Sequence, residues 1–353
     1  MRRPLPDRFW FAVPGDIETR TGGTIYDKKV MAELRAAGRT VAHLQCPSSF
    51  PFPSPDDLAT VTASLAACPD GALVLIDGLA FGVLPGPAAA EAERLRLVAL
   101  VHHPLALESG LPRDTADRLA TSEREALRHV RAVIVTSEMT AATLARDYGV
   151  AREAITVATP GIDRPDAAWV PPANPVPKLV AVGTVTPRKG YDVLVDGLAK
   201  IADLDWHCIV AGSLERDPET ADAVRRQIGH HGLAGRIDLI GEIPDPTPLY
   251  ETADIFVLPS RYEGYGMAIA EALAYGIPVI ATRVGAIPEV VPEGAGILVP
   301  PDVSAALADS LRRLIENLDV RRHHADGARA AARSFARWRD TAARIASALD
   351  AVE

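Results

Sequence analysis

Two glutamates eight positions apart are the first residues in this sequence whose types and spacing suggest chemistry. Glu263 and Glu271 flank the segment Gly-Tyr-Gly-Met-Ala-Ile-Ala, and Glu271 is the single charged residue between Gly264 and Thr282. A carboxylate in such an apolar run is costly to bury unless it is hydrogen-bonded. The run therefore predicts a polar partner for Glu271.

The seven residues between the glutamates predict a binding site for an elongated anion. Two glycines allow a turn before a helix, and Glu271 on that helix lies about 12 Å along the axis from Glu263. Backbone amides at a helix start favour an anion. The turn and the helix start comprise Gly264, Tyr265, Gly266 and Met267.

A nucleoside-diphosphate sugar has the layout that this spacing favours. Its hexose would meet Glu263, its diphosphate would meet the amides of residues 265–267, and its ribose hydroxyls would meet Glu271. The alternative is that Glu263 is a solvated loop residue and that Glu271 is a structural acid satisfied by the backbone.

Two adjacent cations, Arg188 and Lys189, follow another apolar run in the segment that starts at Gly183. A guanidinium can bind phosphate through two hydrogen bonds, and the neighbouring ammonium adds a second charge. The pair could therefore neutralise a departing diphosphate. Such pairs are often solvated loop charges, but the position directly after a predicted strand favours a functional role.

Histidines and glycines mark the ends of two predicted strands in the first half of the chain. His102 and His103 end the run Leu97–Val101, where His102 could hydrogen-bond a sugar hydroxyl or stabilise charge, although strand-end histidines are often structural. Gly22 and Gly23 precede a predicted helix, and glycine lets a ligand approach the backbone closely.

Motifs for other cofactors are absent or misplaced. The chain has neither a GxGxxG nor a GxxxxGK[ST] pattern, so nicotinamide and P-loop interpretations lose their main support. Asp203 and Asp205 have a spacing that can hold a metal, but they precede a predicted strand, away from the ligand-binding edge of a parallel sheet. We predict no metal and no cofactor.

Short runs of Val, Ile and Leu alternate along the chain with longer Ala-, Arg- and Glu-rich segments. This alternation predicts parallel strands connected by helices, and hence the α/β fold class. The predicted strands are Phe9–Val13, Val41–Gln45, Leu73–Ile76, Leu97–Val101, Ala132–Thr136, Ile155–Ala158, Leu179–Val182, Cys208–Ala211, Ile237–Ile240, Ile255–Leu258, Val279–Ala281 and Ile297–Val299.

A proline-rich stretch predicts a boundary between two doubly wound domains. We assign residues 1–166 to the first domain, 167–177 to an extended linker and 178–335 to the second domain. The carboxyl ends of both sets of strands are expected to face a cleft, which is where open α/β sheets bind ligands.

The composition excludes several classes of protein. Apolar residues make up 48% and the net charge is −9, so a nucleic-acid partner is not expected. Three scattered cysteines and the lack of a signal-peptide core predict a cytoplasmic protein. No apolar run is long enough for a transmembrane anchor. Peripheral attachment to a membrane and the oligomeric state stay open.

Together these elements resemble the retaining glycosyltransferases of family 4 (glycosyl transferases group 1), which have the GT-B fold of two Rossmann-like domains. The matching elements are the glycine loop, the His102 strand end, the R-K-G and E-x7-E segments, and Val284–Val291, which is similar to the family's "GG-x-PE-hydrophobic" segment. Two positions depart from the family pattern. Thr184 replaces a common arginine, and Ala286 replaces a common second glycine.

The resemblance implies a role for each matching residue. Gly22, Gly23 and Gly183 would lie on the donor, with Gly23 beside its phosphate. His102 would lie near the donor sugar, Arg188 and Lys189 on the diphosphate, Glu263 on the hexose and Glu271 on the ribose. The catalytic set would be His102, Arg188, Lys189 and Glu263. Residues 336–353 would form a helix that packs back on the N-terminal, acceptor-side domain, where Tyr26 and His103 would face the acceptor.

The implied reaction is metal-independent transfer of a hexose-type sugar, with retention, from a UDP or GDP sugar to an acceptor hydroxyl. The acceptor could be a glycan, a lipid or a small molecule. Two other functions use the same fold: nucleotide-sugar binding without transfer, and epimerisation of the donor without an acceptor.

Overall fold

The computed structural model describes residues 8–165 and 174–352. The chain forms two compact units: unit 1 is Met1–Gly161 with Ala336–Glu353, and unit 2 is Ile162–Phe335. The chain thus changes unit shortly before the predicted boundary at residue 166. Of the predicted linker, residues 167–173 lie outside the described residues.

Unit 1 alternates strands and helices, numbered in chain order. Its strands are β1 (Arg8–Pro14), β2 (Thr40–Cys46), β3 (Leu73–Asp77), β4 (Arg96–Val101), β5 (Ala132–Val135) and β6 (Ile155–Val157). Its helices are α1 (Gly22–Ala36), α2 (Pro55–Ala66), α3 (Gly78–Phe81), α4 (Pro85–Glu91), α5 (Arg113–Leu127), α6 (Glu138–Asp147) and, from the end of the chain, α14 (Trp338–Asp350), with 3-10 turns at Leu105–Leu107 and Arg152–Ala154.

The strands described in unit 1 pair in parallel in the order β2-β1-β3-β4-β5-β6. All five residues of β3 are buried, as expected for a central parallel strand that is covered on both faces. The strand order reverses between β1 and β3. Such a reversal leaves a crevice at the carboxyl ends of the strands.

Helix α14 packs against α1 and completes unit 1. At Gly161 a Cβ atom would lie 2.2 Å from the backbone nitrogen of Trp338, so only glycine permits this close approach. The hydroxyl of Thr341 donates to the carbonyl of Thr159 at 2.8 Å. The last helix is therefore part of the core of the unit that contains the first strand.

Unit 2 has the same alternation. Its strands are β7 (Lys178–Val182), β8 (His207–Ala211), β9 (Ile237–Gly241), β10 (Ile255–Leu258), β11 (Val279–Thr282) and β12 (Gly296–Val299). Its helices are α7 (Tyr191–Ala199), α8 (Pro218–His230), α9 (Thr247–Tyr250), α10 (Met267–Ala274), α11 (Ile287–Val290), α12 (Ser304–Glu316) and α13 (Leu318–Ala332), with a 3-10 turn at Pro187–Lys189.

The strands described in unit 2 are also parallel, in the order β12-β11-β10-β7-β8-β9. Strands β7 and β10 are neighbours, and the strand order reverses between them. Both are buried along most of their length, and their residues belong to one continuous apolar core.

The sequence prediction of the fold class is confirmed. Each predicted strand is present, and its ends differ from the prediction by no more than one residue. The helix predicted after Gly266 is α10. None of the helices in the described ranges combines the length and the apolar character that spanning a bilayer requires. The cysteines are free and buried.

Candidate functional site

The first candidate site lies in unit 2 at the carboxyl ends of β7 and β10. The strand order reverses between these strands, and open parallel sheets bind ligands at such a point. The chain leaves β7 into residues 183–190 and leaves β10 into residues 259–266. Seven of the predicted site residues lie on these two segments: Gly183, Arg188, Lys189, Glu263, Gly264, Tyr265 and Gly266.

The buried carboxylate of Glu263 is the centre of an ionic cluster. Lys189 Nζ donates a hydrogen bond to Glu263 Oε1 at 2.6 Å, and Ser260 Oγ donates to the same oxygen at 2.7 Å. Arg188 Nη1 lies 3.3 Å from Glu263 Oε2. Glu263 is 6% exposed, so the alternative of a solvated loop residue is wrong.

The cluster fixes the charge state of Glu263. Burial alone would raise the pKa of this carboxyl group, because burial penalises the charged form. The charges of Lys189 and Arg188, with the hydrogen bonds from Lys189 and Ser260, outweigh burial and lower the pKa to about 2. Near neutral pH the group is a carboxylate, which accepts hydrogen bonds and donates none.

Glycines bring the supporting loops close to Glu263. Gly190 has a φ of 67°, and a Cβ atom there would lie 2.1 Å from the carbonyl oxygen of Pro259. Gly285 has a φ of 51°, and a Cβ atom there would lie 2.2 Å from the carbonyl oxygen of Glu263. Ala286 then donates its amide to that oxygen at 3.0 Å with an ordinary φ of −85°. Alanine therefore fits where a second glycine is common.

The start of α10 lies directly after this cluster. Gly266 has a φ of 98°, a left-handed conformation that favours glycine. Within the described part of the chain, the amides of Tyr265, Gly266 and Met267 have no protein acceptor. Because these amides lie at the positive end of a helix, they suit an anion.

Glu271 is half-buried on α10 and has the polar partner that its surroundings predict. Tyr250 donates its hydroxyl to Glu271 Oε2 at 2.8 Å. Burial, followed by the negative charge of Glu271, raises the pKa of Tyr250, so this hydroxyl remains a donor. The partner is a side chain on α9, which differs from the alternative of a purely backbone partner.

A second group of polar residues lies in unit 1, near the carboxyl ends of β1, β3 and β4. His102 Nε2 lies 3.2 Å from Asp27 Oδ1 and 3.1 Å from Asp77 Oδ2. Both aspartates are almost fully buried. Among the described residues these three form the one group whose potential metal-ligating atoms lie within 4.8 Å of one another. Direct hydrogen bonds already join them, and we assign no metal to the group.

The buried carboxylates control the protonation of His102. Burial alone would lower its pKa, but the charges of Asp27 and Asp77 and their hydrogen bonds raise it to about 10. Burial and the nearby charge of Asp77 raise the pKa of Asp27 to about 7. Near neutral pH the imidazole is therefore protonated and held between two acceptors.

The predicted glycine loop adjoins His102. The Thr21 side chain caps α1 by accepting a hydrogen bond from the amide of Thr24 at 3.1 Å. A Cβ atom at Gly23 would lie 3.3 Å from His102 Cδ2, whereas one at Gly22 would meet nothing within 4 Å. The loop and the imidazole thus share one end of the sheet of unit 1.

The structure does not support Tyr26 as an acceptor contact. Its side chain is fully buried, and its hydroxyl donates to the carbonyl of Ala158 at 2.8 Å. Its ring packs edge-on against His102, with ring centroids 5.1 Å apart. His103 is half-buried and lies 3.6 Å from Glu108.

Several partners of the site escaped the sequence analysis. Ser260 and Tyr250 carry no distinctive local pattern. Asp77 ends a buried strand, so the reasoning applied to His102 would have identified it. Asp27 lies four residues after Gly23, which is one helical turn into α1.

Two family models match the chain over ranges that contain these sites. The model described as glycosyl transferases group 1 matches residues 176–317, which include Lys189, Glu263 and Glu271. The model described as glycosyltransferase family 4 matches residues 35–164, which include His102.

Named relatives agree with both models. The lipopolysaccharide core biosynthesis mannosyltransferase LpsB of Rhizobium meliloti is 33% identical over 201 residues, which are 54% of this chain and 57% of that protein. The 2-deoxystreptamine glucosyltransferase of Streptomyces kanamyceticus is 30% identical over 268 residues, which are 69% and 67% of the two chains. The chain thus spans less than two thirds of the length of LpsB.

The fold is similar to that of solved structures. The crystal structure of HepE from Anabaena in complex with UDP and glucose has a TM-score of 0.76 and 20% identity, and the match covers 97% of this chain and 99% of that one. The family models and the relatives show that the chain belongs to the group 1 glycosyltransferases, in family 4, and the structural comparison shows the GT-B fold.

Proposed function

We propose that this protein transfers a hexose-type sugar from a nucleoside-diphosphate sugar to an acceptor hydroxyl, with retention at the anomeric carbon. The observation that carries this proposal is the ionic cluster of Lys189 and Arg188 around the buried Glu263. It lies where the strand order of unit 2 reverses and directly before the start of α10. Two cations, one carboxylate and the amides of a helix start match the parts of such a donor.

Each part of the donor has a proposed partner in unit 2. Glu263 accepts hydrogen bonds from hexose hydroxyls, because its low pKa keeps it ionised. Arg188, Lys189 and the amides of residues 265–267 bind the diphosphate. Glu271, held by Tyr250, binds the ribose diol. The cluster contains two cations and one carboxylate, so its net charge is positive, which favours an anionic ligand.

In unit 1 we propose that His102 acts on the donor sugar and that Gly23 allows a donor phosphate to approach. The protonated imidazole, fixed by Asp27 and Asp77, can donate a hydrogen bond through its other ring nitrogen. The names of the relatives, a mannosyltransferase and a glucosyltransferase, support a hexose. The UDP and glucose of HepE support a nucleotide-sugar donor, and we keep both UDP and GDP sugars as candidates.

In the proposed reaction the acceptor attacks from the face of the leaving group. The bond between the anomeric carbon and the phosphate oxygen breaks, and a bond from that carbon to the acceptor oxygen forms. The acceptor proton passes to the departing phosphate oxygen. Arg188, Lys189 and the helix amides stabilise the charge on that diphosphate, and we propose that they make a divalent metal unnecessary.

A panel of UDP and GDP sugars tests the donor assignment. A ligand that binds only the folded state raises its stability, by about 2.7 kcal/mol at a hundredfold excess over Kd. We expect either the UDP sugars or the GDP sugars to raise Tm. Because the proposed reaction needs no divalent metal, we also expect the protein to consume the donor in the presence of EDTA. If no member of either series raises Tm, the donor assignment is wrong.

Replacing Lys189 tests the chemistry. The variant Lys189→Ala removes one preorganised donor and should lower turnover by about 100- to 1,000-fold. Lys200→Ala is the matched control, because Lys200 is an exposed lysine at the end of α7. Unchanged turnover in Lys189→Ala would refute the role assigned to Lys189.

A further inference from the structure

The cation pair lies on a very short element. Arg188 and Lys189 are part of the three-residue 3-10 turn Pro187–Lys189, between β7 and α7. A single 3-10 turn has few hydrogen bonds of its own. The direction in which the two cations point therefore depends on what binds the backbone of this turn.

Arg261, on the segment after β10, binds the turn twice. Its amide donates to the carbonyl of Arg188 at 2.7 Å, and its guanidinium Nη1 donates to the carbonyl of Pro187. In the reverse direction, Arg188 Nη1 donates to the carbonyl of Tyr262 at 3.0 Å. The turn and the segment that bears Glu263 are thus joined by hydrogen bonds from both sides.

The guanidinium of Arg261 is already neutralised by two carboxylates. Asp192 accepts two hydrogen bonds, at 3.0 Å from Nη1 and 2.6 Å from Nη2, and Asp302 accepts one from Nε at 2.7 Å. Every nitrogen of its fork therefore has a protein acceptor. A guanidinium in this state is poorly available to a diphosphate.

Asp302 adds an independent observation. Among the described residues it is the one non-glycine residue with a positive φ, at 57°. Such a conformation is unfavourable for side chains other than Asn and Asp, and it persists where surrounding contacts impose it. Here it accompanies the contact between Asp302 and Arg261, which gives the ion pair a defined geometry.

We propose that Arg261 is a positioning residue of the donor site, which holds Arg188 and Lys189 toward Glu263 and binds no phosphate itself. This inference rests on the proposed function of the cluster. It predicts that losing the Arg261 contacts weakens binding of the diphosphate while leaving binding of the nucleoside unchanged.

Isothermal titration calorimetry of the full chain with UDP and GDP measures nucleotide affinity, and titration with uridine and guanosine measures nucleoside affinity. The difference between the two gives the contribution of the diphosphate. Whichever of UDP and GDP binds the wild type should bind Arg261→Met and Arg261→Lys about tenfold more weakly or worse. Neither side chain can replace the three guanidinium nitrogens that donate to Pro187, Asp192 and Asp302. Nucleoside affinity should not change. Arg312→Met is the matched control, since Arg312 also pairs with two carboxylates, Asp203 and Glu316, on unit 2.

Asp302→Asn separates positioning from direct phosphate contact by the sign of its effect. Asparagine tolerates the left-handed backbone but removes one of the two negative charges that face Arg261. A phosphate-binding Arg261 would then bind UDP or GDP more tightly, whereas a positioning residue predicts weaker binding. Tighter binding, or wild-type affinity in a folded Arg261→Met, overturns the inference.

Asp302→Asn also keeps the test valid if Arg261→Met fails to fold. If the wild type binds neither UDP nor GDP, the proposed function is overturned together with the inference. If the wild type binds one of them and only the variants behave otherwise than expected, the inference about Arg261 alone is overturned.

Discussion

Replacing Glu263 with glutamine separates the charge of the site carboxylate from its shape. Burial opposes ionisation of Glu263, yet Lys189 and Arg188 lower its pKa from 4.5 to about 2. At 1.36 kcal/mol per pKa unit, the ionised form is favoured in the folded state by about 3 kcal/mol. We expect Glu263→Gln to lower the free energy of unfolding of unit 2 by about that amount near pH 7, which lowers Tm by about 6 to 12 °C.

The pH dependence has a definite sign. Because the folded-state pKa of Glu263 is depressed, its contribution is complete above pH 4.5 and is lost as the pH falls toward 2. Denaturant unfolding of wild type and variant at pH 7 and at pH 3 should therefore show a smaller difference at the lower pH. Glu123→Gln is the control: Glu123 is also buried, but burial raises its pKa to about 8, so it is mostly protonated at neutral pH and glutamine is nearly isosteric.

The same variant separates binding from turnover. Without the carboxylate, Lys189 and Arg188 carry two charges with no counter-charge between them, so diphosphate affinity should be maintained or increased. Turnover should fall by about 100-fold, because the hexose hydroxyls then meet a neutral amide in place of a charged hydrogen-bond acceptor. A variant as stable as the wild type at pH 7, or a stability difference that is equal at pH 7 and pH 3, would refute this account of Glu263.

Other variants test the supporting geometry. Burial opposes protonation of His102, but the two buried carboxylates beside it raise its pKa to about 10. The stability from this contact is therefore complete below pH 6.5 and is lost as the pH rises toward 10. Asp77→Asn should reduce the dependence of Tm on pH between 6.5 and 10. Gly285→Ala should destabilise unit 2 by about 2 kcal/mol or more, because its Cβ would overlap a site carbonyl. Gly71→Ala, with φ of 75° but open space around it, measures the backbone contribution alone. Tyr250→Phe removes the hydrogen bond to Glu271, so it should weaken the binding of UDP or GDP by about 1 kcal/mol in titration calorimetry. The binding of pyrophosphate, which has no ribose, should not change.

The strands were predictable from the sequence because both faces of these parallel sheets are buried. Such strands are continuous apolar runs, as in Ile255–Leu258, whose ends match the prediction. Candidate site residues such as Lys189 and Glu263 were recognisable by their residue types directly after those runs. Their carboxyl-end positions follow from the chain direction that all parallel strands share.

The contacts between site residues were not predictable. Lys189 and Glu263 are 74 positions apart, and they meet because the sheet order places β7 beside β10, which no local pattern encodes. Tyr26 was expected to face the acceptor. The rotation of α1 instead turns it into the core, where its hydroxyl has a backbone acceptor. Helix rotation depends on packing more than on loop composition.

The return of the last helix to unit 1 has a consequence for synthesis of the chain. Arg39 on the early part of the chain pairs with Asp350 at 2.8 Å, and Thr159 accepts a hydrogen bond from Thr341. A ribosome therefore releases every residue of unit 2 before it releases the helix that unit 1 needs. We expect unit 2 to reach its native core first during translation, while the nascent first unit keeps the α14-binding face of α1 uncovered and accessible to chaperones until α14 has been synthesised.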